Sequence, residues 1–321
     1  MLQVDRRIGQ RSVLIPMGDV MATFVAENAD CLREKFTFPD QDARLMRSVS
    51  NKRELYHLAK THDVPTPEIH SPQSREDLLN ALDKMNFPVL FKPSHGSGGS
   101  GQVLVKTKRE ALEVYDKLGH PEDMILQEYI QGGVDTNWMF EGYFDSRSNC
   151  LFGLTGKSLR ILPSRFGFTT LGVCLKNEAI DETTKRFVKG IGYSGIMATD
   201  WRYDARDGKY KLLDFNPRVG SEFRLFVSDT GMDVVRALYL DMGGKRVDSG
   251  EICVGRKWLT EDLDLHASLE ALRGGCTLTQ LVGSFRGVQE TGCFTADDPF
   301  PFLHICLRSC MKNVNKLLLR H

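Results

Sequence analysis

The spacing of apolar and polar positions changes period several times along the chain. Short apolar runs bounded by turn residues read as strands, and stretches with apolar residues three or four apart read as helices. Ser12 to Pro16 fits a short buried strand, and a helical segment from Val20 to Lys35 follows until Phe36-Thr37-Phe38-Pro39-Asp40 breaks it. Asn51-Lys52-Arg53-Glu54 resembles a capping box that opens a helix to about Thr61. Val64-Pro65-Thr66-Pro67 forces extended backbone, and Ser74 to Met85 predicts the next helix.

A buried strand over Phe87 to Pro93 leads into the run Gly96 to Gly101, then a strand over Gln102 to Val105 and a helix over Lys108 to Leu118. Met124 to Ile130 is strand-like and ends at Gly132-Gly133. Residues 136 to 145 and 150 to 155 alternate apolar and polar, as antiparallel strands do. Asp181 to Lys189 predicts a helix, and β-prone residues 196 to 203 and an apolar strand within 212 to 218 flank a polar turn at Asp204 to Lys209. Beyond Gly243-Gly244 the character changes. Residues 259 to 273 predict a helix, and Leu303 to Arg320 an amphipathic one with Arg308, Lys312, Lys316 and Arg320 at four-residue spacing. That basic stripe can lie on an anionic membrane surface, but more often such a stripe is the wet face of a docked helix.

At 321 residues the chain can bury a full core as one large domain or two modest ones. Its 42 basic and 42 acidic residues balance, so charge gives no argument for nucleic acid or another polyanion. No apolar run reaches the roughly 18 residues of a membrane span. The first residues lack the apolar core of an export signal. The eight cysteines form no Cys-x-x-Cys pair, which argues against a structural zinc site and for reduced thiols in a cytoplasmic protein.

The chemistry concentrates in Leu212-Leu213-Asp214-Phe215-Asn216-Pro217-Arg218. Alternate strand residues share a face, so Asp214 and Asn216 present oxygen ligands side by side, with Arg218 where the strand stops. The grouping suits a hard cation beside an anionic substrate. A hairpin centred near Asp207 places Asp200 directly across from Asp214, and bare like charges there repel unless a cation such as Mg²⁺ or Mn²⁺ bridges them. The plain alternative is a surface hairpin with two solvated aspartates.

Gly96 to Val103 fits Gly-x-Gly-x-x-Gly-x-Val, a spacing protein kinases share. Here Lys92 precedes the loop and neither His-Arg-Asp nor Asp-Phe-Gly occurs. A dinucleotide fold would open the loop into a helix, whereas this loop opens into a strand. Strand, lysine, glycine loop and strand remain. Such a loop can fold backbone N–H groups over phosphates, or can be a mobile surface hairpin. Lys157 and Arg160 form a cationic pair that could neutralise a transferring phosphoryl group, or a solvated strand edge.

In this order the features resemble the ATP-grasp superfamily, in particular its carboxylate–amine ligases, over roughly Asn51 to Gly244. Gln127-Glu128-Tyr129-Ile130 followed by Gly132 and Asp135 is similar to the family's adenine hinge and ribose contact. The resemblance implies an α+β ATP-grasp fold whose two α+β subdomains grip ATP at 51–245. A truncated N-terminal α/β remnant would occupy 1–50 and a mainly helical extension 246–321. It implies that Lys52 and Lys92 contact ATP phosphates and that Gly98, Gly99, Ser100 and Gly101 close over them. Gln127, with the backbone of Glu128 and Ile130, would read adenine, and Asp135 would hold the ribose. Asp200, Asp214 and Asn216 would hold Mg²⁺, and Arg218 would steady the substrate carboxylate or acyl phosphate.

The implied reaction makes an acyl phosphate and ADP, then lets an amine or thiol displace phosphate. Its partners would be small-molecule carboxylates and amines, and a homo-oligomer is compatible with it. Both metal carboxylates are aspartate where the family usually has glutamate, and only 50 residues precede the segment like Asn51. The second reading is therefore an ATP-binding protein of the same fold without ligase activity.

Overall fold

The computed structural model describes residues 8–95, 101–118, 123–164 and 166–308. The N-terminal segment pairs a short strand β1 (Ser12–Val13) in parallel with β2 (Phe36–Thr37). Between them the expected single helix is two, α1 (Asp19–Glu27) and α2 (Ala29–Arg33), because Asn28 leaves helical geometry. β1 is half-buried rather than buried. Two helices follow, α3 (Ala43–Ser50) and α4 (Lys52–Thr61). The Asn51 side chain accepts the N–H groups of Arg53 and Glu54, which fixes where α4 starts.

The smaller lobe has a four-stranded sheet in the order β3-β6-β4-β5: β3 (Ile69–His70), β4 (Val89–Pro93), β5 (Val103–Val105) and β6 (Met124–Glu128). Helices α5 (Arg75–Lys84) and α6 (Lys108–Lys117) belong to this lobe. Leu78, Ala81 and Leu82 of α5 and Ala111 and Tyr115 of α6 pack on Val89, Phe91, Val105 and Leu126. Apolar residues at helical spacing on one partner and strand spacing on the other make this two-layer core.

The larger lobe is a seven-stranded sheet in the order β11-β10-β7-β8-β9-β12-β13. Its first strands are β7 (Asn137–Phe144), β8 (Cys150–Leu162), β9 (Phe168–Cys174), β10 (Gly195–Asp204) and β11 (Lys209–Asn216). On one face Phe140, Trp201, Leu212 and Phe215 meet Val49, Leu55 and Ala59 of α3 and α4, and Phe187 of α7 (Glu178–Ile191). On the other face Tyr143, Phe152 and Ile196 meet Val234, Ala237 and Leu238 of α8 (Val234–Met242). Trp201 points into the first core, so Asp200 and Arg202 face the opposite side.

The expected hairpin forms between β10 and β11, and Asp200 pairs with Asp214. The turn alone would not give that register. Nearer the turn, Trp201 pairs with Leu212, and a bulge at Leu213 restores the alignment of the two aspartates.

The segment beyond Gly244 departs from the expected helical extension. β12 (Lys257–Leu259) pairs antiparallel with β9, and β13 (Val288–Thr291) runs parallel beside it. Trp258 packs with Met139, Cys174, Leu225 and Phe226, so these strands complete the large sheet. Helix α9 (Glu261–Arg273) matches the expected one and leans on β8 and β9, and α10 (Leu278–Ser284) follows it. Sequence periodicity missed β12 because three residues are too few to show a period. Residues 300–308 are helical, and Lys312, Lys316 and Arg320 lie outside the described residues. No described helix is long and apolar enough to cross a membrane.

Candidate functional site

The two lobes close on a cavity of about 180 Å³. Its wall includes Leu90, Gln127, Ile130 and Leu213, three apolar side chains and one amide. Ile130 and Gln127 are buried, and pairing of β6 with β4 sets Gln127 opposite Leu90. The Glu128 side chain turns away, accepting from Arg206 at 2.6 Å with Lys211 3.6 Å off. Its backbone N–H donates to the Glu68 carbonyl at 2.8 Å, and Glu128 is not part of the cavity wall. That ion-pair cluster ties the end of β6 to the β10–β11 hairpin, and so the small lobe to the large.

Lys92, Asp200, Asp214, Asn216, Arg218 and Glu222 also line the cavity and act on one another electrostatically. Lys92, near the end of β4, is buried. Burial and the neighbouring Lys52 lower its pKa to about 7, against the pull of Asp214 and Asp200. Lys52 is the first residue of α4, and its backbone N–H donates to the Ser94 carbonyl at 2.9 Å. Its ammonium lies 3.4 Å from Oδ2 of Asp214. Arg218 donates to Oδ1 of Asn216 and to the Val219 carbonyl, both at 3.1 Å, and its Nε sits 3.3 Å from Asp19 of α1. The N-terminal segment thus reaches the site through one carboxylate.

Asp200 is accessible from the cavity yet surrounded by protein at its floor. Desolvation, then Glu222 and Asp214, raise its pKa to about 7. Asp200, Asp214, Asn216 and Glu222 line the same cavity and offer oxygen ligands. That donor set fits a hard dication such as Mg²⁺ or Mn²⁺. No cluster of three or more His, Cys, Asp or Glu suited to a metal occurs among the described residues; the Asn216 amide is the further oxygen beside the Asp200–Asp214 pair.

The other expected site residues divide. Gly101 is described and takes a positive φ of 72°, whereas Gly98, Gly99 and Ser100 lie outside the described residues. Asp135 sits in a short 3₁₀ turn after the Gly132-Gly133 hinge, near Arg202 rather than in the cavity wall. Lys157 does not line the cavity. Its ammonium lies 5.4 Å from the ring centre of Trp138, which does. Arg160 corrects the cationic-pair expectation. Nε and Nη2 grip both Asp264 oxygens at 2.8 and 2.7 Å, and Nη1 donates to Ser284 at 2.5 Å. A guanidinium so occupied, and buried, fastens α9 and α10 to β8.

Sequence reasoning missed Arg202, Ser158, Thr169, Ser221 and Glu222 in the wall. Arg202 donates to the Gly132 carbonyl at 2.7 Å and lies 5.6 Å from the Tyr129 ring centre. Its position two residues after Asp200 was the available signal. Glu222 follows an irregular turn whose path no periodicity encodes.

Residues 49–136 match the model of an ATP-grasp domain. The chain is 27% identical over 245 residues to the D-aspartate ligase of Enterococcus faecium (strain Aus0004), covering 71% of this chain and 58% of that protein. It is 18% identical to the carbamoyl phosphate synthase large chain of Methanobrevibacter smithii, over 61% of this chain and 19% of that one. The chain thus spans less than two thirds of either relative. Among solved structures, the biotin carboxylase domain of Hydrogenobacter thermophilus 2-oxoglutarate carboxylase, in complex with MgADP, ADP and bicarbonate, superposes with a TM-score of 0.63. Identity there is 17%, over 79% of this chain and 59% of that one. The L-amino acid ligase of Bacillus licheniformis gives a TM-score of 0.51 at 20% identity, over 67% of this chain and 52% of that one. Two α+β lobes closing on one cavity, with the domain match over residues 49–136 and these neighbours of the same architecture, show that the chain has the ATP-grasp fold.

Proposed function

We propose that this chain is an ATP- and Mg²⁺-dependent ligase that activates a carboxylate as an acyl phosphate and passes the acyl group to an amine or thiol. The observation that carries the reading is that Lys92, Asp200, Asp214, Asn216 and Arg218 line one cavity together with the apolar Leu90, Ile130 and Leu213. The similarity to D-aspartate ligase favours an amine acceptor over the bicarbonate chemistry named for the carboxylase neighbours.

In this reading adenine lies beside Gln127 and Ile130. Lys92 and Lys52 hold the phosphates, and anionic phosphate beside Lys92 would restore its proton. Asp200, Asp214 and Asn216 would hold Mg²⁺, which when bound lowers the charge an anionic nucleophile must approach. Arg218 aligns the substrate carboxylate. An oxygen of that carboxylate bonds to the γ-phosphorus as the bond to the β-phosphate oxygen breaks, releasing ADP. The amine then attacks the acyl carbon, phosphate leaves, and the surplus proton passes to solvent or phosphate. Positioning and charge neutralisation supply the acceleration.

A screen of carboxylates and amines with MgATP tests the reading. ADP and phosphate released only in the presence of a carboxylate, with a hydroxamate trapped by hydroxylamine, is the expected result. AMP and pyrophosphate as products would refute it.

A further inference from the structure

Glu141 lies on β7 between Ala198 of β10 and Leu154 of β8, two residue pairs along the sheet from Asp200 and Met139. It is 0% exposed. Its Oε1 accepts the N–H of Gly220 at 2.9 Å, and its Oε2 has no hydrogen-bond partner among the described residues. A Cβ on Gly220 would fall 2.5 Å from that Oε2, so the backbone of Gly220 rests directly on the carboxyl group. Gly220 stands between Arg218 on one side and Ser221 and Glu222 on the other, and all three line the cavity. Val219, in the same turn, is buried in the cluster that holds Tyr143, two residues along β7 from Glu141.

We propose that Glu141 is a positioning residue for the cavity: it seats the Gly220 turn, and through that turn sets Arg218, Ser221 and Glu222 in the wall. The seat needs one acceptor for Gly220 N–H and enough volume to stop the turn from sinking. It does not need negative charge. Burial and the facing Glu222 raise the pKa of Glu141 well above the ordinary carboxylate range, against the opposing influence of Gly220 N–H and Arg218. A neutral amide of the same shape would therefore serve equally. This role holds for any ligand of the cavity and does not depend on the ligase reading.

The test is hydrogen exchange by mass spectrometry on the full chain without nucleotide, comparing wild type, Glu141→Gln and Glu141→Ala. Amides of residues 217–222 should exchange about tenfold faster in Glu141→Ala, and at the wild-type rate in Glu141→Gln. Peptides from β4 should not change in either. Unchanged exchange in Glu141→Ala overturns the proposal, and so does equal acceleration in Glu141→Gln, which would mean that the charge is required. Gly220→Ala drives a methyl against Oε2 and should accelerate the same amides with Glu141 in place. If Glu141→Ala does not fold, unchanged exchange in Gly220→Ala overturns the proposal alone.

Discussion

The ammonium of Lys52 lies 3.4 Å from Oδ2 of Asp214, joining the first residue of α4 to the strand that carries the cation-binding oxygens. The pair is shielded, with side-chain exposures of 6% and 20%. Asp214 therefore answers to two cations, the lysine in this structure and the proposed Mg²⁺. Replacing Asp214 with Asn should weaken MgADP binding about tenfold or more, close to 1.4 kcal/mol, by titration calorimetry. Unchanged affinity with an intact circular dichroism spectrum would remove Asp214 from the metal site.

Arg160→Met should separate structure from chemistry. Breaking a buried ion pair by removing one partner leaves Asp264 uncompensated and should cost about 3 kcal/mol of unfolding free energy in urea melts. MgADP affinity should stay within about twofold, since Arg160 lies outside the cavity wall. A selective loss of nucleotide binding without loss of stability would restore Arg160 to the site.

Asp204 gives a pH prediction. Hydrogen bonds from Arg206 and Lys211 hold its carboxyl far below the usual carboxylate range. The folded protein thus binds its proton more weakly than the unfolded chain does. Its contribution is fully present above the unfolded pKa of about 4 and is lost as pH falls toward the depressed folded value. Asp204→Asn should cost about 3 kcal/mol at pH 7, and the gap to wild type should narrow steadily below pH 4. A gap independent of pH would show that the carboxylate charge is not what stabilises.

Trp258 tests whether the C-terminal strands belong to the large lobe. The side chain is buried, and Trp258→Ala should cost about 3–5 kcal/mol and lower the melting temperature of the whole chain in one transition. A second, separate transition would mean that the segment folds apart from the sheet.

Much of this site was legible in the sequence for a local reason. Asn51 caps α4, so Lys52 had to lie at its first turn. Strand alternation put Asp214 and Asn216 on one face, and Pro217 ended the strand before Arg218. The pairing of Asp200 with Asp214 was read correctly from the turn, although a bulge at Leu213 that no propensity encodes is what preserves it. Arg160 was misplaced because a cationic pair on a strand looks the same in sequence whether it faces a ligand or a buried aspartate 104 positions away.

What the sequence determined by itself is whatever depends on neighbours within a turn or two: helix starts, strand faces, and the chemical kinds of donor gathered between 200 and 218. Only the tertiary structure decided which of those donors face one cavity, that Glu128 spends its side chain on Arg206, that Asp19 holds Arg218, and that the Gly220 turn rests on Glu141. These contacts join residues far apart in the chain. Sheet order and helix packing bring them together, and neither is written in any local period.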